Sequence, residues 1–106
     1  MTLKTGKLMV VNVVNGVQEG IHIHKTKGGT NIPGEVASYG SEWEFTEESA
    51  KDSATVTWAK LVPKPGSSWK EGWVKLTVDA MDKFNNPIIH EYCRINQALP
   101  PVDGDS

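Results

Sequence analysis

Residues 8–25 run LMVVNVVNGVQEGIHIHK. The first half, 8–14, is dominated by valine, whose branched Cβ loses rotamer freedom in a helix and packs well on a pleated surface. Asn15-Gly16 follows at once. Both central residues of a type I′ turn need positive φ, and Asn-Gly supplies them at little cost, so the pair reads as a hairpin turn. In the return segment, 17–25, side chains alternate with a period of two. Val17, Glu19, Ile21 and Ile23 fall on one face, and Gln18, Gly20, His22 and His24 on the other. Ile21 and Ile23 are thus expected in a core, with both histidines outside it.

The same period recurs along the chain. In 42–46, Trp43 and Phe45 oppose Glu42, Glu44 and Thr46. In 54–62, Ala54, Val56 and Trp58 oppose Thr55, Thr57 and Ala59. In 73–82, Val74, Leu76, Val78 and Ala80 oppose Lys75, Thr77 and Asp79. In 88–97, Ile89, Cys93 and Ile95 share a face with Glu91, opposite His90, Tyr92 and Arg94. A shorter strand is expected over 35–39. Turn residues separate these runs: Gly28-Gly29, Pro33-Gly34, the connection PKPGSSWKEG over 63–72, and Asn85-Asn86-Pro87. Segment 46–54, TEESAKDSA, lacks the apolar stripe of an amphipathic helix and reads as a polar loop. About seven strands with clean alternation predict an all-β chain, an antiparallel β-sandwich of immunoglobulin-like or jelly-roll-like form. Ile21, Ile23, Trp43, Val56, Trp58, Leu76, Val78 and Ile89 are expected to share one core.

With 106 residues the chain has room for one domain, expected over 1–97, with a Pro- and acid-rich tail over 98–106. Its net charge is −2, and its only arginine is Arg94. Phosphate neutralisation dominates nucleic-acid affinity, so a balance on the acidic side without a dense basic patch argues against general nucleic-acid binding. The longest apolar run, 8–14, is far too short to span a membrane. Residues 1–7 lack the apolar stretch of a signal peptide, and a single cysteine, Cys93, allows no internal disulfide. These points predict a cytoplasmic protein or one assembled into a particle.

The chemistry-bearing residues are few. His22-x-His24 puts two imidazoles on one strand face, the spacing of a candidate divalent-metal chelate, though a solvated strand face accounts for it as well. His90 and Cys93 are an odd number of residues apart and point to opposite faces, so one metal cannot take both. No G-x-S-x-G elbow, phosphate cradle or facing carboxylate pair is present, and the expectation is a non-enzyme without a cofactor. The most distinctive surface feature is Ser67-Ser68-Trp69-Lys70-Glu71-Gly72-Trp73. Trp69 sits in a loop that cannot itself build a core, and Trp73 lies on an outward strand phase. An exposed Trp brings a large apolar face with a polar tip, suited to a protein, sugar or lipid head group; the equal alternative is that one of the two indoles folds back as a lid on an open end of the sandwich. Trp69, Trp73, Lys70 and Ser68 are therefore the expected contact residues of a non-catalytic recognition module. The competing expectation is a structural protein, a homo-oligomer or a component of a larger assembly such as a virion or secretion apparatus.

Several short motifs carry a family resemblance: Val11-Asn12-Val13-Val14-Asn15-Gly16, His24-Lys25-Thr26-Lys27, Gly40-Ser41-Glu42-Trp43-Glu44-Phe45, Val56-Thr57-Trp58-Ala59 and Tyr92-Cys93-Arg94-Ile95. In this order they resemble the plant self-incompatibility proteins, or S-protein homologues. The resemblance implies a small secreted β-sandwich acting as a recognition ligand. His24 and Ala59 stand where that family has cysteines, so its disulfides cannot form here. A second resemblance, carried by Asn15-Gly16 and the Trp-bearing loop alone, is to aegerolysin- or actinoporin-like sandwiches. It implies membrane binding through surface aromatics.

Overall fold

The structure, a computed structural model, describes residues 6–49, 51, 52 and 54–98. Ten strands account for the regular structure: β1 (Gly6–Val10), β2 (Val13–Val14), β3 (Val17–Gln18), β4 (Ile21–His24), β5 (Asn31–Ala37), β6 (Glu42–Glu48), β7 (Val56–Leu61), β8 (Gly72–Met81), β9 (Pro87–Glu91) and β10 (Cys93–Ala98). There is no helix among the described residues, and every pairing is antiparallel. The all-β expectation holds. The tail expected after Ala98, and residues 1–5, lie outside the described residues.

One curled sheet takes the place of two stacked ones. Its order is β10-β1-β6-β7-β8-β4-β5, with β9 also on β8. The curl comes from the segment 87–98. Its first half, β9, pairs with β8, and its second half, β10, pairs with β1. At the bend the Tyr92 N–H donates to Leu76 O at 2.8 Å, and Tyr92 O accepts from the Val11 N–H at 3.0 Å. One residue thus bonds to both neighbours. The Arg94 guanidinium grips the Glu91 carboxylate beside it, at 2.8 and 3.2 Å.

The Asn15-Gly16 turn forms as expected, with φ of 52° and 80°. The hairpin it closes is only a stub, however, Val13↔Gln18 and Val14↔Val17. The flanking strands part, β1 to β6 and β10, β4 to β5 and β8. Gly20 marks the parting: a Cβ there would lie 2.7 Å from Ala37 O, so only glycine lets the chain pass so close to β5.

The expected single core resolves into two clusters on opposite faces. Leu8, Val10, Ile21, Ile23, Phe45, Leu61, Val74 and Leu76 fill the inside of the curl, with Trp43 half-buried against them. Val56, Trp58 and Trp73 form a second cluster, with Val78 packed on it. The cause is a β-bulge. Thr57 pairs with Thr77, but Trp58 pairs with Lys75, so Leu76 is an extra residue on β8. A one-residue slip exchanges the two faces. Val74 and Leu76 therefore face inward, whereas Val78, two residues on, joins the other side. The expectation for Ile89 fails as well, because it lies on the projecting β8–β9 hairpin and in neither cluster. It pairs with Asp79 beyond the bulge and is 66% exposed.

Candidate functional site

The loop expected to carry the contact surface turns its tryptophans inward. Trp69 is 8% exposed and Trp73 is 7% exposed, which corrects the expectation that they project. Trp69 folds back over the inner core, its ring 6.3 Å from that of Trp43 and its Nε1–H donating to Glu35 Oε1 at 3.2 Å. Gly72 makes room for it, since a Cβ there would lie 2.7 Å from the indole. A loop of proline, glycine and serine has no core of its own, so its indole is buried against the sheet. Trp73 sits on the outer face with Trp58, under the ammonium groups of Lys27 and Lys60 at 5.2 and 6.0 Å from the ring centre. Of the four expected contact residues, only Ser68 and Lys70 remain exposed.

The two histidines of β4 lie where the alternation puts them, His22 exposed between the inward Ile21 and Ile23, and His24 half-buried at the end of the strand. The His24 Nδ1 meets Gly29 O at 2.9 Å, a contact to a pure acceptor that places the proton on Nδ1 and leaves Nε2 as the free lone pair. Its ring stands edge-on to Trp58 at 4.9 Å. No group of three or more metal-capable side chains occurs among the described residues.

These histidines line a polar hollow of about 240 Å³ that no motif in the sequence announces. It opens because the far edge of β8 is shared: β4 holds it only at His24↔Trp73, and β9 takes it from Thr77 onward. Between the two, the strands fork. Asn12, Glu19, Lys75 and Tyr92 complete the walls. His90 stands behind, its Nε2 2.8 Å from Asn12 Oδ1 and its ring edge-on to Tyr92 at 4.6 Å. All three histidines of the chain thus gather at one fork.

A second feature is an apolar arm, the C-terminal half of β8 with β9. Asp82 shapes its turn by accepting from the Phe84 and Asn86 N–H groups at 2.8 and 2.9 Å, and these bonds hold its carboxyl below the usual aspartate value. Asn85 takes the left-handed conformation the turn needs, φ 62°. Met81 is 63% and Phe84 72% exposed, and Ile88 and Ile89 are exposed beside them. Isolated exposed apolar residues are ordinary, but here four crowd one hairpin, with Ile88 and Ile89 on its two faces. Among the described residues β8 is the only strand partner of β9.

Cys93 is buried inside the curl, and burial, with Glu91 nearby, pushes its thiol up to about 12. A thiol so protonated is no nucleophile at neutral pH. Comparison with known proteins adds no relative: no protein family, curated protein or solved structure matches the chain.

Proposed function

We propose that this chain is a non-catalytic recognition module that docks through the β8–β9 arm, and that the occupant is a second copy of the chain, joined edge to edge as a unit of a larger assembly. The observation that carries this reading is the contrast between two of the three edge strands of the sheet, β5 and β9. The β5 edge is blunted: Pro33 lacks an N–H, and Gly34 at φ 76° kinks the strand. The β9 edge has its proline only at the first position, followed by exposed Ile88 and Ile89. Such an edge invites strand addition.

The geometry supports a two-fold pairing. Asp82 N–H donates to Asn86 O, and Tyr92 N–H donates to Leu76 O. Antiparallel alternation between these bonds turns Ile88 and His90 toward β8 and the N–H and C=O of Ile89 outward. Pairing Ile89 with its own counterpart forms both hydrogen bonds across the axis. It sets Glu91 opposite Pro87, so no like charges meet. The role of a recognition ligand implied by the self-incompatibility resemblance is compatible with this reading.

Light scattering over a concentration series is the test. The expected result is a dimer that Ile89→Lys converts to a folded monomer, whose melt matches that of the native chain diluted to its own monomer, because Ile89 is outside both clusters. A monomer at every concentration up to about 1 mM overturns the proposal, as does a dimer indifferent to Ile89→Lys.

A further inference from the structure

We infer that the fork between β4 and β9 binds a small oxyanion, the phosphate or carboxylate group of a low-molecular-weight ligand. The argument begins at Asn12, the one buried polar side chain among the described residues, 5% exposed. Its Oδ1 lies 2.8 Å from His90 Nε2; in the tautomer that carries its proton on Nε2 the imidazole donates to that oxygen, and the amide NH₂ is the free end. That NH₂ donates to no protein acceptor among the described residues, although Asn12 lines the hollow. Buried donors are as a rule satisfied, and one left open toward a cavity points to a guest that accepts.

The other walls suit an acceptor with negative charge. Lys75 reaches the hollow from β8, its ammonium over the face of Tyr92, 5.5 Å from the ring centre; the Asp52 carboxylate is near enough to feel its charge, but no salt bridge joins Lys75 to an acid among the described residues. His22 and His24 add two imidazoles from β4. Lys75 supplies a positive charge, and the Asn12 amide and the exposed His22 imidazole supply N–H donors, a combination that binds oxyanions through charge-assisted hydrogen bonds, while His24 spends its N–H on Gly29 O and serves only as wall. No pairing joins β4 to β8 between His24↔Trp73 and the parting at Gly20, so the backbone there is not sealed by a neighbouring strand. The one acid in the wall is the exposed Glu19, whose own N–H donates to Asn12 O at 3.0 Å. It narrows the choice to a ligand that presents its anionic group to the Asn12–Lys75 side. A divalent cation fits less well, because two imidazoles without a third ligand face a lysine.

Titration of the ¹⁵N-labelled chain with inorganic phosphate and, separately, with acetate tests this by NMR. The expected result is a saturable shift of the Asn12 side-chain NH₂ and the backbone amides of Ile21 and His22, with Kd on the order of 1 mM. The stronger of the two probes identifies the group. Lys75→Gln weakens binding about tenfold or more, and Lys70→Gln, on the exposed loop, leaves it unchanged. His22→Gln replaces an exposed ring and gives the same weakening without risk to the fold. Shifts that do not saturate, that chloride reproduces at equal ionic strength, or that survive both Lys75→Gln and His22→Gln overturn the inference.

Discussion

Trp69 and Trp73 are four residues apart and almost equally buried, yet they lie on opposite faces of one sheet. Trp69 closes over a core walled by seven or more strand-borne side chains inside the curl. Trp73 belongs to a cluster of three, roofed by lysine stems and the edge of His24. Equal burial therefore conceals unequal surroundings. The inner indole is held by the curvature of the sheet. The outer one is held by long flexible side chains that keep their charged ends in water.

The difference has measurable consequences. Trp69→Ala leaves a cavity that the rigid inner wall cannot fill, and the expected loss is about 3–5 kcal/mol in a denaturant melt. Trp73→Ala removes a ring whose lysine cover can settle onto Trp58, so about 2 kcal/mol is expected. Equal losses in the two variants break the comparison.

A smaller effect concerns how the outer cluster is tied to its loop. Asp52 accepts from the Val56 and Ala54 N–H groups, each at 2.9 Å, and from Trp58 Nε1 at 2.9 Å. These bonds, that of Val56 foremost, hold its carboxyl below the usual 3.8. A carboxylate lowered by folding stabilises the native state above its unfolded pKa and ceases to do so as pH falls through the folded one. Trp58 fluorescence should thus change on acidification below about pH 4. Asp52→Asn should remove that step, and a step that survives it assigns the acid response elsewhere.

The smallest effect lies at Thr55, a β-branched residue at φ 62° in the same turn. Thr55→Gly relieves this strain, and a gain of about 0.5–1 kcal/mol is expected despite the looser unfolded chain. A loss instead would show that the Thr55 hydroxyl bond to Ala54 O outweighs the strain.

Much of this architecture was legible in the sequence. Alternation in β6, β7 and the first half of β8 identified Phe45, Trp58, Val74 and Leu76 as buried, and Asn15-Gly16 announced its turn. The bulge at Leu76 was not legible, because it is a property of pairing between strands and leaves the period of β8 intact. The misplacement of Val78 follows from that one residue, and that of Ile89 from a hairpin that runs out past both clusters. Nor could a loop of prolines and glycines declare which way Trp69 points, since it has no period. The histidine pair was visible on β4, but the fork that joins it to Asn12, Lys75 and Tyr92 depends on how β4 and β9 divide one edge of β8.

The bend at Tyr92 has a further consequence, for the order of events in folding. β1 and β10 are partners drawn from the two extremes of the described chain. Until 87–98 is in place, β1 lacks one neighbour and the far half of β8 another. Contacts so distant in sequence form late and slowly. A growing chain therefore carries two raw strand edges until 87–98 arrives, and in that interval it is most open to a chaperone or to a stray strand from another chain.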